Sequence, residues 1–528
     1  MKKNLVFLLL ILLGLGLRLY SLDKYPLWLD EVTAASTGRN IPCLLSLGKA
    51  SHQSPGLEKN DYLYSYNRFF IYYWKKISGD SEFALRLSSV LFALLGLYML
   101  FRLGNLLYGP GIARISLFLL AISPFHIYYS QELRSYAAVS FLSLLAFYIS
   151  LKIIKKEKTI YWVGYILVNF LSLAFNYMIL SLVLAQFVFL ALNRRREDNF
   201  LCKLIITHLV IFSLGAGLIL FFHPALLFNL NRPVPIELTD LPVWGQEVNL
   251  SNILFTLKNF SLGYNIDSYS PSGLIFALIF FSLFVAGCYR DKSKAALTFK
   301  AVIVFLPIAL IFLASKFVKS CYLYRYFLAA YPVYLLGVAA GLYNLKRSLR
   351  YFLLAAISVA TVFSLKNYYQ AILPGSHFQH TGVFSKDTDI TGAIRFVAGR
   401  FLKNDKIFFT SWLTIPPFKF YIPQAINQGR LQDRHEFIQE AGEGKLFWLD
   451  NEDKLMFIPY KDFRPGPDSA KALVYSNLPN RLWLVNDLFD SKPAVIKVLQ
   501  NMYGPAQKHN FKNLEVYLFF REKRVKRI

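Results

Sequence analysis

The sequence predicts a mainly α-helical bundle that crosses a membrane about eleven times, followed by a small C-terminal α/β domain outside the bilayer. Three observations carry this. Hydrophobic residues make up 55% of the 528 residues and charged residues only 17%, where a soluble domain has roughly a quarter charged. Long apolar runs recur through the first two-thirds of the chain and then stop. Beyond them the composition shifts, and residues 367–528 carry half of the 32 acidic side chains. With a mean hydropathy of +0.39, the chain has too few charges to wet a soluble surface. A soluble enzyme, a disordered chain and a disulfide-built scaffold are excluded.

Taken in order, Met1–Lys3 is basic and Asn4–Tyr20 apolar, with no small-residue cleavage site after it. This is a retained helix with a cytoplasmic N-terminus. Further runs near 84–104, 111–127, 135–153, 160–177, 179–193, 201–222, 271–289, 297–315, 322–343 and 350–366 are long enough to span the hydrocarbon, the shortest marginally. The break at 177–179 matters most, because losing it inverts every later crossing. The net charge of +26 would suggest nucleic acid in a soluble protein. Here Lys152–Lys158, Arg194–Arg196, Arg290–Lys292 and Lys346–Arg350 all fall on connections predicted to be cytoplasmic, so positive-inside bias accounts for the excess and no nucleic-acid partner is expected. The four cysteines, 43, 202, 288 and 321, have no paired spacing and suggest neither a zinc site nor a disulfide framework.

Residues 1–366 are therefore read as a membrane domain with two long outer loops, 22–83 and 223–270. The first contains the aromatic amphipathic stretch Tyr62–Lys76, expected to lie at headgroup depth, and the second a similar helix near 251–260. In residues 367–528, strand-like runs at Lys406–Thr410, Lys445–Leu449, Arg481–Val485 and Val516–Phe520 are interspersed with helical patterns such as Thr388–Phe401 and Lys492–Met502. That order gives an α/β domain, extracytoplasmic by parity of the crossings. Trp412 and Tyr421 within it read as core.

Three clusters could carry chemistry. Asp30–Glu31 follows Trp28–Leu29 just beyond the first helix, in an acid-poor region. A solvated loop pair is the ordinary fate of such acids, whereas a Trp at the interface would anchor them at a fixed depth. Tyr129, Gln131, Glu132 and Arg134 lie at the outer junction of two crossings, and Glu132 and Arg134 are the only charges between Arg114 and Lys152. A helix N-terminus would explain Glu132 but not the polar and aromatic company around Arg134; charge at that depth favours a cavity lining. Lys316, Lys319, Arg325 and Tyr326 place positive charge on an outer loop, against the positive-inside bias. Snorkelling is the plain explanation, and an anionic headgroup site the functional one. His52, His126 and His223 carry weaker signals. No GxGxxG, P-loop, GxSxG or HExxH run occurs, which leaves nucleotide binding, serine hydrolysis and zincin chemistry without support.

Leu17–Tyr20 leading to Trp28–Glu31, then Gly79–Leu87, then Tyr129–Tyr136, and again Arg325–Tyr326, together resemble the membrane glycosyltransferases of the C superfamily, in particular the dolichyl-phosphate-mannose–protein mannosyltransferases and the lipid A aminoarabinose transferases. The resemblance implies an inverting enzyme that moves a sugar from a polyprenyl-phosphate carrier to a glycan, lipid or protein acceptor. It would act at the outer face of the cell (inner or plasma) membrane. It implies Asp30 as the catalytic carboxylate with Glu31 beside it, Glu132, Arg134, Tyr129 and Gln131 lining the donor cavity, and Arg325 on the donor phosphate. His52 and Tyr326 would be weaker acceptor or loop contacts. A divalent metal ion (Mg, Mn or Zn) would fit the same chemistry, with Asp30 and Glu132 as its candidate ligands. Two departures stand out: His52–Gly56 is followed by an insertion, Leu57–Asp61, and Asn176–Tyr177 stands where relatives often carry His-Tyr.

Two other classes compete. A transporter or flippase of lipid-linked sugars would use broken helices at mid-membrane and related halves, and neither is legible here. A non-catalytic assembly protein would place its binding function in the last domain.

Overall fold

The computed structural model describes residues 2–36, 65–194, 199–222, 248–267, 269–291, 293–317, 321–372, 388–402, 405–411, 414–428, 446–451, 456–461, 464–465, 478–488 and 491–520. These form two compact units: a helical one with residues 2–22 and 65–372, and a second with residues 23–36 and 388–520.

The helical unit contains α1 (Lys2–Leu19), α3 (Ser65–Ser78), α4 (Glu82–Tyr108), α5 (Pro110–Ile122), α6 (Pro124–Ser130), α7 (Tyr136–Lys155), α8 (Thr159–Phe175), α9 (Leu180–Leu192), α10 (Phe200–Phe222), α11 (Leu250–Leu262), α12 (Pro271–Tyr289), α13 (Lys294–Phe317), α14 (Tyr331–Tyr343) and α15 (Arg347–Tyr369); α2 (Leu29–Ser36) belongs to the other unit. Among the described residues six helices are long and apolar enough to cross a membrane, namely α4, α7, α10, α12, α13 and α15, with a seventh if the bent pair α5–α6 counts as one span. Shorter apolar helices cover Leu5–Leu19, Thr159–Phe175, Tyr177–Leu192 and Tyr331–Tyr343. The chain is a multi-pass membrane protein.

Local chemistry sets the boundaries. Ser81 caps α4 by accepting from the Ala84 amide, and Gly109, at φ +83°, turns the chain so that Pro110 opens α5. α8 stops at Asn176, whose extended backbone ends the helix while its side chain accepts from Met178 N at 3.0 Å. The run read as one crossing over 111–127 is in fact broken by 60° between α5 and α6. Pro124 lacks the amide that would continue the ladder, and Ser123 instead accepts from His126 N at 3.1 Å. One broken helix, not visible as such in the hydropathy, is therefore present.

α12 and α14 meet backbone to backbone. A Cβ on Gly341 would overlap the Leu283 carbonyl oxygen, and one on Gly287 the Gly337 carbonyl. At the end of α12 lies a buried ion pair, Lys300–Asp291 at 2.8 Å, in which Lys300 also donates to Gly287 O at 2.7 Å. Paired and hydrogen-bonded, the two charges are tolerable at that depth.

The second unit adds α16 (Ile390–Ala398), α17 (Ile415–Gln428), α18 (Pro493–Tyr503) and strands β1 (Lys406–Phe409), β2 (Leu446–Asn451), β3 (Met456–Lys461), β4 (Arg464–Pro465), β5 (Arg481–Asp487), β6 (Gln507–Phe511) and β7 (Leu514–Phe520). The sheet order is β4-β3-β2-β1-β5-β7-β6. β1 is parallel to β2 and β5, and the outer pairings are antiparallel. Phe408, Leu482, Leu484, Val495, Leu499 and Phe519 fill one core beneath it. α2 packs against α17 within this unit.

Candidate active site

In the helical unit the site is built on the turn between α6 and α7, residues 131–135. Arg18, fully buried near the end of α1, fixes α6 from beneath. Its guanidinium donates to Leu120 O at 3.1 Å, Ala121 O at 2.9 Å and Gly14 O at 2.9 Å, to Ser130 Oγ at 3.2 Å, and meets His126 Nδ1 at 2.9 Å. Two of those carbonyls end α5 at the break, where Leu120 O has only a long 3.4 Å bond from Ser123 N. Gln131 ties the turn to the same region: its Nε2 donates to Arg18 O at 2.8 Å and Tyr20 O at 2.9 Å, and its Oε1 accepts from Tyr368 OH at 2.7 Å. Ser89 of α4 donates to Glu132 O at 2.5 Å. The turn is thus held from α1, α4 and α15 at once.

Glu132 is buried, 1% exposed, and its carboxylate is hydrogen-bonded to Tyr128. Tyr129 OH meets Tyr264 OH at 2.6 Å, and Tyr264 lies within electrostatic range of both Arg325 and Glu132. The guanidinium carbons of Arg134 and Arg325 lie 5.9 Å and 5.8 Å from the centre of one ring, that of Tyr136. Arg325 also approaches Tyr326 at 5.9 Å. Tyr129, Gln131, Glu132, Arg134, Arg325 and Tyr326 therefore gather in one place, two cations and a buried acid among tyrosines. Lys316 is exposed, as a snorkelling residue would be. Beside the turn lies a small crevice, about the size of one water, with Phe70 and Ile71 of α3, Phe92 of α4 and Phe175 of α8 as apolar walls and Ser89 and Arg134 as polar groups. Tilted aromatic contacts, Phe70–Phe92 at 5.4 Å and Phe70–Phe175 at 6.0 Å, set α3 across it.

The loop after α11 supports Tyr264. Lys258, fully buried, donates to Gly263 O at 2.9 Å and to Ile266 O. α11 lies outside the helices long enough to cross the membrane. Burial pushes the Lys258 ammonium down to about 7, with Asp267 acting in the other direction.

Asp30 and Glu31 lie in the second unit, in the first turn of α2. Glu31 is buried and its Oε2 accepts from Trp28 N at 3.3 Å, bracing the start of its own helix; Asp30 is partly exposed. His52, Lys319, Trp412 and the insertion Leu57–Asp61 lie outside the described residues. Among the described residues no three His, Cys, Asp or Glu side chains come together to hold a metal ion, so a ready ligand set around Asp30 or Glu132 is not present among them.

Residues 67–221 match the family model described as dolichyl-phosphate-mannose-protein mannosyltransferase. Over nearly the whole chain the structure superposes on ArnT from Cupriavidus metallidurans in the apo state, with a TM-score of 0.58, 12% identity and 98% of each chain covered. The chain shares the fold of this ArnT. A second structure of the same ArnT, bound to undecaprenyl phosphate, matches at a TM-score of 0.57 and 11% identity over 97% of each chain. The archaeal oligosaccharyltransferase AglB from Archaeoglobus fulgidus, in complex with an inhibitory peptide and a dolichol-phosphate, matches at 0.50 and 11% identity, covering 99% of this chain and 74% of that one. No curated protein matches the sequence significantly. Within this fold, Arg18, Ser89, Tyr264 and Tyr368 shape the site without having been singled out as site residues by sequence. Only Arg18 left a signal, as a lone cation near the end of the first apolar run.

Proposed function

We propose that the protein is an inverting glycosyltransferase that takes a hexosyl or pentosyl group from a polyprenyl-phosphate carrier. It passes that group to a lipid, glycan or protein acceptor at the outer face of the cell membrane. The observation that carries this reading is the convergence of Arg134 and Arg325 on Tyr136, beside buried Glu132 and an aromatic-walled crevice. Planar guanidinium forks suit phosphate oxygens, and the aromatic side chains beside them offer an apolar surface to a carrier lipid. The name of the ArnT complex with undecaprenyl phosphate points the same way.

In the proposed reaction the anomeric carbon–oxygen bond breaks and its electron pair goes to the carrier phosphate, whose growing charge the two arginines offset. A hydroxyl acceptor approaches from the opposite face, bonds to the anomeric carbon and gives its proton to Asp30. An acceptor that is already a phosphate anion needs no base, and Asp30 then orients it. Glu132 holds Tyr128 and balances the cationic side of the cavity. Counting the four shorter apolar helices as spans gives about eleven crossings, a cytoplasmic N-terminus and an extracytoplasmic α/β domain.

The test is a transfer assay with a polyprenyl-phosphate sugar and purified protein in lipid. Asp30→Asn should lower kcat by about 100-fold or more, the usual weight of a general base. Full activity in that variant removes Asp30 from the mechanism.

A further inference from the structure

The segment Leu27–Ser36 is short, and an isolated helix of this length has no stability of its own in water. Something must hold α2 in place. What holds it is 394 residues away in sequence: the Leu27 amide donates to the hydroxyl of Tyr421 at 2.6 Å. Leu27 and Tyr421 are each 1% exposed, and Trp28 is 4% exposed. Tyr421 lies on α17, against which α2 packs through its buried face of Glu31, Val32, Ala34 and Ala35. α17 is in turn pinned to the sheet, with Phe418 against Phe409 of β1 at 5.2 Å, edge to face. An unbroken path of contacts therefore runs from the central parallel strand, through α17, to the turn that carries Asp30.

We propose that Tyr421 is a positioning residue for Asp30, and that the α/β domain acts in the reaction by fixing the carboxylate rather than as an appended binding module. This rests on the reading of Asp30 as the catalytic carboxylate. A loose α2 would leave Asp30 chemically intact but spread over many orientations, and misplacement by a fraction of an ångström to an ångström slows a proton transfer without altering how the donor phosphate binds. Loss of the Tyr421 hydroxyl therefore acts on kcat and leaves the donor KM alone.

The experiment uses the full-length protein in lipid nanodiscs and compares wild type, Tyr421→Phe, Asp30→Asn and Tyr517→Phe. The last removes a hydroxyl of the same domain that donates to Glu515 at 2.7 Å, and serves as control. Amide hydrogen exchange of residues 27–36 reads the placement of α2 independently of activity. In Tyr421→Phe, exchange there should rise about tenfold while exchange of β1 and β5 stays at the wild-type rate. kcat should fall about tenfold with the donor KM within twofold, the size expected for one buried hydrogen bond. Tyr517→Phe should match wild type in both readouts. Unchanged exchange over 27–36 overturns the proposal, as does faster exchange with unchanged kcat while Asp30→Asn is inactive. Full activity of Asp30→Asn places the failure instead in the assignment of Asp30.

Discussion

Arg134 and Arg325 approach the same Tyr136 ring from two elements, and the difference between a planar fork and a point charge decides what their replacement does. Lysine keeps the charge but loses the paired donors that match phosphate oxygens. In Arg134→Lys the KM for a polyprenyl-phosphate sugar should rise about tenfold, in line with a lost charge-assisted hydrogen bond, while kcat changes less. Initial-rate kinetics with a fixed acceptor reads this directly, and unchanged kinetics refutes a donor contact. Glu132 and Arg134 were legible in the sequence because they interrupt a long uncharged stretch. The work of Arg18 was not, because it depends on carbonyls at a helix break more than 100 residues away in sequence.

Among the elements, the α11–α12 connection gives the clearest pH dependence. The folded value for Lys258 is about 7, below that of an unfolded lysine, so the unfolded chain binds one more proton between the two values. Stability must then rise with pH from about 7 toward the value of an unfolded lysine, by up to ~1.4 kcal/mol per pH unit, and level off below about 7, where both states carry the charge. Thermal unfolding in detergent between pH 7 and 9 should show this rise, and Lys258→Met should flatten it. An unchanged slope in that variant refutes the assignment. The strands β1, β2, β5 and β7 were legible as β-branched and aromatic runs. α17 was not, because Pro416, Pro417 and Pro423 fall within its fourteen residues. The first two are tolerated in the opening turn, where the amides have no helical acceptor to lose. β6 was also hidden, being exposed along most of its length.

At the scale of the whole molecule, alternating hydropathy made the membrane class legible, and the shift in composition predicts an α/β domain over 367–528. The grouping of Asp23–Thr37 with that domain was beyond reach, since nothing local in Leu27–Trp28 announces a partner in Tyr421. The topology has a direct test. In a cysteine-free background, Lys346→Cys should be shielded from a membrane-impermeant thiol reagent in intact cells, and Asn510→Cys, at an exposed position of β6, should be labelled. Labelling of both from outside would remove the proposed orientation.

The glycine seam between α12 and α14 bears on how such a molecule can move. At Gly287 and Gly341 the two helices touch through bare backbone, with Phe284 stacked on Tyr334 nearby, which leaves no room for an acyl tail to wedge between them. They behave as a single beam, and the ion pair ties α13 to the end of α12. Under the proposed function a long prenyl chain would slide in from the bilayer elsewhere around the bundle, and any rocking in turnover would pivot on this beam instead of opening it.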